Sequence, residues 1–190
     1  SDIWNYDIGT GVNGWGNEEL QHYTDRPENV TVQNGMLLIT VREEAFEGSK
    51  YTSARLLTKG KFEQKYGRFE ARMRLPSGKG LWPAFWLLGN NNLKWPASGE
   101  IDIMELVGHE PSTYHGTLHY GGAWPKNRHS GEKFKLHTGT FADKFHVFSL
   151  DWQEGKIIWS IDGEVWQTQQ KWDSAKKPYP APFDQRFHLI

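Results

Sequence analysis

At 190 residues the chain is long enough for one domain with a core of its own, and the absence of cysteine rules out disulfides. With 22 basic and 23 acidic residues its formal net charge is −1, which argues against electrostatic capture of nucleic acid or of an anionic membrane. Ten tryptophans combined with a mean hydropathy of −0.71 point to rings that are partly exposed, as sugar-stacking rings are. No apolar run approaches a membrane span, and the opening Ser1-Asp2-Ile3-Trp4 does not resemble a signal peptide.

Gly9-Thr10-Gly11-Val12-Asn13-Gly14 matches the GxGxxG pattern formally. No apolar strand precedes it, and Trp15-Gly16-Asn17 stands where a helix should begin, so it is read as a loop. Asn17, Glu18, Gln21 and Tyr23 follow as planar polar groups able to meet hydroxyls. Residues 30–33 and 36–41 flank Asn34-Gly35, a hairpin signal because both turn positions need positive φ. A second strand pair is expected from 51–58, which contains Arg55, and 69–75, where Glu70, Arg72 and Arg74 alternate with apolar residues and face solvent.

A turn at 76–80 leads into an expected strand at 81–88, with Trp82, Ala84 and Trp86 on one face and Phe85 and Leu87 on the other. The loop 90–98 delivers Trp95 beside Glu100. In 113–119, His115, Thr117 and His119 share a face; with Glu105 they form a zinc candidate, but such a set spreads over ~13 Å on an extended strand. A hydrogen bond from His119 to a carboxylate is the better role. Residues 120–140 read as a long loop around a short strand at 134–136. A β-meander follows over 145–167, turning at Gly155 and Asp162-Gly163. Residues 172–183 form a proline-rich loop with one helical turn near Asp173-Ser174-Ala175, and 187–190 is a strand entering the core.

The chemistry concentrates in Gly99-Glu100-Ile101-Asp102-Ile103-Met104-Glu105. Period-two alternation puts Glu100 and Asp102 on one face and Glu105 on the other, unless a β-bulge at Met104 absorbs one residue. With the bulge, the two glutamate backbones are about 13 Å apart, and side chains leaning together bring the carboxyls to ~5–6 Å, near the spacing of a retaining glycosidase pair. Two carboxyls that close in a tryptophan-walled cleft cannot both ionise cheaply, so they share their charge.

Four motifs carry a resemblance: Trp4-Asn5-Tyr6 before Trp15-Gly16-Asn17, Tyr51-Thr52-Ser53-Ala54-Arg55, Gly80-Leu81-Trp82-Pro83-Ala84-Phe85-Trp86, and the carboxylate run. In this order they resemble the bacterial laminarinase type (endo-1,3-beta-glucanase) of glycoside hydrolase family 16, over essentially all 190 residues. The resemblance implies an all-β fold, a curved antiparallel β-sandwich of the jelly-roll, concanavalin-like kind with a concave substrate cleft. It implies Glu100 as nucleophile, Glu105 as acid/base and Asp102 as their support. Trp82, Trp86 and Trp95 match cleft-lining positions, His119 matches a histidine beside the catalytic strand, and Asn17 and Arg55 are carried over as sugar contacts. Met104 matches the bulged form of the motif found in laminarinases, carrageenases and agarases; lichenases and xyloglucan-active relatives usually lack that residue.

The expected protein is a single catalytic domain over 1–190 that lacks the first and last strands of the family fold. It is expected to be a secreted monomer whose signal peptide is absent from this sequence. Its expected partner is a polysaccharide, with no nucleic-acid or membrane partner. No cofactor or catalytic metal is required; a structural calcium fits the family, although most of its ligands are not in this sequence. The expected reaction is retaining, endo-acting hydrolysis of β-1,3-glucan, with mixed-linkage β-1,3-1,4-glucan as a second substrate. The rivals are a non-catalytic β-glucan-binding protein on the same fold and a hydrolase of agar- or carrageenan-type galactan. A buried ion network is disfavoured because the carboxylate strand carries no Lys or Arg.

Overall fold

The computed structural model describes residues 2–190. The chain divides into two compact units, Ser1–Lys61 and Phe62–Ile190. In the first, β1 (Asn5–Asp7) is followed by β2 (Gln21–Tyr23), β3 (Val30–Gln33), β4 (Met36–Ile39), β5 (Arg42–Phe46), β6 (Ser49–Ser53) and β7 (Arg55–Leu57). β1 pairs antiparallel with β7, β6 lies between β2 and β5, and β3 and β4 form a hairpin. The hairpin turns on Asn34 and Gly35, both at positive φ (51° and 74°), as the dipeptide requires. Gly9–Gly14 precedes a short irregular winding, Gly14–Glu18, in which Trp15 and Gly16 are left-handed rather than helical. Val30, Ala54 and Leu56 form the small core of this unit, with Trp4 packed against it.

The second unit is a sandwich of two antiparallel sheets. Its strands are β8 (Gly67–Met73), β9 (Ala84–Gly89), β10 (Glu100–Glu105), β11 (Thr113–Gly121), β12 (Asn127–Lys135), β13 (His146–Gln153), β14 (Lys156–Ile161), β15 (Glu164–Gln169) and β16 (Phe187–Leu189). One sheet has five strands in the order β12-β11-β10-β9-β16, and the facing sheet has four, β15-β14-β13-β8. Alternating residues of both sheets meet in the middle: Leu87, Ile101, Ile103 and Leu118 from the first, Phe69, Leu150, Trp152, Ile157 and Trp159 from the second. Trp172 and Phe183, from the proline-rich segment, close one end of this core. Met104, Leu106, Tyr114, Phe141 and Phe148 continue it at the other. Each large apolar side chain buried there contributes about 1.5–3 kcal/mol, so the core pins the register of every strand that faces it.

Several sequence expectations change. Residues 51–58 are two strands, β6 and β7, and neither pairs with β8, whose partner is β13. The stretch expected as a long loop holds the end of one nine-residue strand and the whole of another, since β11 reaches Gly121 and β12 spans Asn127–Lys135. β12 is a polar edge strand that owes its extension to main-chain pairing with β11, which side-chain pattern does not reveal. No helical turn forms at Asp173–Ala175; Ser174 instead bridges to Gly121. Trp82 precedes β9 rather than lying within it.

Candidate active site

β10 runs between β9 and β11 in the middle of the five-stranded sheet. Against β9, Asp102 stands opposite Trp86 and Met104 opposite Phe85; against β11, Asp102 stands opposite Thr117 and Glu105 opposite His115. Over this stretch β10 therefore carries one residue more than either neighbour, and the bulge is present. Toward β9 the skipped residue is Ile103, with Met104 paired. Ile103 and Met104 are both 1% exposed and face the core, so alternation restarts and Glu105 returns to the face of Glu100 and Asp102.

Cross-strand neighbours share a face, which puts His119, Thr117 and His115 beside Glu100, Asp102 and Glu105 respectively, and Trp86 beside Asp102 on the other side. Two indoles orient the glutamates: Trp82 Nε1 donates to Glu105 Oε1 (2.8 Å) and Trp95 Nε1 donates to Glu100 Oε2 (3.1 Å). His119 Nε2 lies 3.1 Å from Asp102 Oδ2 and 3.7 Å from Glu100 Oε1. Its ring stands between Trp95 (5.7 Å between centroids) and His129 (5.9 Å). Trp82 and Trp95 are half exposed, so each offers a ring face to solvent while its N–H holds a carboxylate.

The electrostatics favour retention of a proton by the carboxylate cluster. Burial pushes the Glu100 carboxyl up to about 8, helped by the charge of Asp102 and, more weakly, of Glu105; His119 and the Trp95 N–H oppose the rise. Asp102 is pushed well above the usual carboxylate range by its own burial and by Glu105. The raised proton affinity of Glu100 and Asp102 comes chiefly from burial, which strand spacing does not reveal. The Asp102 side chain is 8% exposed against 15% for Glu100, so Asp102 bears the larger desolvation cost and is the natural holder of the proton. A neutral Asp102 removes the second largest cause raising Glu100, which can then ionise.

The zinc candidate does not assemble as the sequence suggested. Among the described residues, the ligand atoms that come together are those of Glu100, Asp102 and His119, all within 4.8 Å of one another, and His115 is not among them. Those three could hold a metal ion. Asn17 and Arg55 belong to the first unit. Asn17 is exposed in the irregular winding, and Arg55 pairs with Asp7 (3.0 Å) with its guanidinium over the Trp15 ring.

Two residues on the face of the carboxylates were missed by sequence reasoning. His129 sits opposite His119 on β12, hidden because that strand was read as loop. His188 sits opposite Leu88, itself opposite Glu100, and bonds Asn90 through Nδ1 (2.5 Å). Alternation with the buried Phe187 was the available signal for it.

The family described as Glycosyl hydrolases family 16 matches residues 17–188. The chain is 42% identical to "Glucan endo-1,3-beta-glucosidase A1" of Niallia circulans, covering 98% of this chain and 30% of that protein. It is 43% identical to "Beta-glucanase" of Rhodothermus marinus, covering 98% of this chain and 67% of that protein. The solved laminarinase catalytic domain from Thermotoga maritima superposes with a TM-score of 0.83 at 41% identity, covering 100% of this chain and 79% of that one.

Proposed function

The chain belongs to glycosyl hydrolases family 16, and we propose that its carboxylate face cleaves β-1,3-glucan internally, with retention of anomeric configuration. The observation that carries this reading is the bulge, which returns Glu105 to the face of Glu100 and Asp102 where an unbroken strand would bury it. The names of the relatives, a glucan endo-1,3-beta-glucosidase and a beta-glucanase, support the substrate class.

In the first displacement, Glu100 attacks the anomeric carbon while Glu105 delivers a proton to the leaving glycosidic oxygen, forming a glycosyl-enzyme ester. In the second, Glu105 takes a proton from water, which attacks the same carbon and frees Glu100. Asp102, holding its proton beside Glu100, lets that nucleophile ionise without a like charge next to it and can return a hydrogen bond as the ester departs. The Trp82 and Trp95 N–H groups hold both glutamates in place, and the indole faces give glucose rings an apolar platform.

Mixed-linkage β-1,3-1,4-glucan is the second substrate of this reading. The enzyme acts as an extracellular monomer on a polysaccharide. No helix among the described residues is long and apolar enough to cross a membrane. A product profile on laminarin, lichenan, agarose and carrageenan, with proton NMR of the first products, tests the proposal. Oligosaccharides from laminarin that appear first as the β-anomer are expected. The α-anomer first, or no reducing ends released from laminarin, overturns it.

A further inference from the structure

The interruption of β10 has a counterpart in the facing sheet. Between β14 and β15, Trp159 stands opposite Gln167 and Ser160 opposite Val165, so Trp166 is an extra residue of β15. The two irregularities are tied together through the core. Trp159, fully buried, donates from Nε1 to the main-chain carbonyl of Asp102 (2.8 Å), the residue at which β10 leaves its ladder. Gln167, also buried, donates from Nε2 to the carbonyl of Gly116 (3.2 Å). Gly116 pairs with Glu132 on β12 but has no partner on β10, because it lies where the bulge passes. Two backbone carbonyls at the bulge are thus met by side chains of the opposite sheet, which answers the question a buried interruption always raises.

Gly116 is part of the same device. A Cβ there would come within 2.7 Å of Trp159 Cδ1 and Nε1 and 3.1 Å of Trp166 Cη2, so only glycine lets the Trp159 indole reach β10.

We propose that Trp159 and Gln167, with Gly116 making room, are positioning residues that set how far Glu105 stands from Glu100 and Asp102. This deepens the hydrolase reading and rests on it. A bulge without these anchors can relax along the strand, and the segment that moves carries Glu105 and leaves Glu100 at the strand's start. The defect then falls on proton delivery to the leaving group, with binding preserved.

Trp159→Phe keeps the ring and removes the donor. Its kcat on laminarin should fall about 30-fold or more, approaching the loss of a general acid, with KM within about twofold of the parent because substrate-facing groups are untouched. On a 2,4-dinitrophenyl β-glucoside oligomer, whose leaving group departs without a proton, the variant's glycosylation rate should stay near that of the parent. Trp152→Phe is the matched control: it also loses one buried indole donor, to Phe183 O (3.1 Å), away from the bulge. It should lower thermal stability and leave the ratio of laminarin to aryl-glycoside rates unchanged. If Trp159→Phe fails to fold, Gln167→Met carries the test with the same criterion. A laminarin-to-aryl ratio equal to that of the parent overturns the inference while leaving the hydrolase reading intact; a parent protein that cleaves neither substrate overturns that reading instead.

Discussion

Ile103 and Met104 are consecutive residues of one strand, yet both point into the core. A regular strand would send them to opposite faces. Their shared direction is the bulge, and it separates the face positions of Glu100 and Asp102 from that of Glu105 by an odd step that alternation alone would not allow.

Deletion variants follow from that geometry. Removing Met104 leaves Glu-Ile-Asp-Ile-Glu, an unbroken alternation with all three carboxylates on one face, so laminarin hydrolysis should remain measurable. Removing Ile103 and Met104 together turns the second glutamate into the core, which abolishes activity and costs at least about 3 kcal/mol in urea denaturation through lost packing and a buried carboxylate. Hydrolysis by the double deletion would contradict the account of the bulge.

The roles of the two glutamates separate in azide. Glu100→Ala should lose about 10³-fold or more in kcat, and azide should then fill the nucleophile's place and give an α-glycosyl azide by a single inversion. Glu105→Ala still forms the ester from an activated aryl glycoside, so azide attack on it should yield the β-glycosyl azide. NMR of the trapped products decides, and exchanged stereochemistry between the two variants would reverse the assignment.

Stability should depend on pH through the same carboxylates. The buried Glu100–Asp102 pair keeps a proton well above the range in which the unfolded carboxyls release theirs, because burial and mutual repulsion raise both groups. Across that window the unfolded state binds fewer protons, so stability falls as pH rises, with the full penalty above the folded value. Glu100→Gln keeps an acceptor for Trp95 and removes the charge, so it should be more stable than the parent by about 1–3 kcal/mol at pH 8. The difference should vanish near pH 4. Chemical denaturation at both pH values measures this, and a variant less stable at pH 8 would count against the buried charge.

Asn29-Val30-Thr31 has the form of an N-glycosylation sequon, and it is closed in the folded chain. Asn29 is 0% exposed, its Oδ1 accepts from Thr24 and Arg26, and its Nδ2 donates to Thr40 O and to Thr52 Oγ1. Soluble protein from a glycosylating host should therefore carry no glycan at Asn29, as intact mass will tell. Asn29→Ala should cost about 2–4 kcal/mol by stranding buried partners.

Much of this protein is legible along the chain. Alternation put Phe85 and Leu87 on one face of their strand and Trp86 on the other, although which face meets the core was left to the structure, and the Asn34-Gly35 and Asp162-Gly163 turns follow from the positive φ that each needs. The run Glu100 to Glu105 marked the chemistry, because three carboxylates in a strand otherwise packed on both sides need a reason to be there. Local sequence could do this because side-chain direction in a strand depends on parity alone.

Tertiary structure decided the rest. Polar β12 became a strand because β11 offered it a ladder, and His129 joined the carboxylate face only through that pairing. Glu100 and Asp102 are raised above the usual carboxylate range chiefly by burial, which no local pattern measures. The seat of the bulge is decided furthest from local sequence: Trp159, 57 residues on from Asp102, reaches its carbonyl past a glycine on a third strand. Parity along the chain dictates which face a residue takes, but where an interrupted strand comes to rest depends on what the opposite sheet supplies to its freed backbone groups.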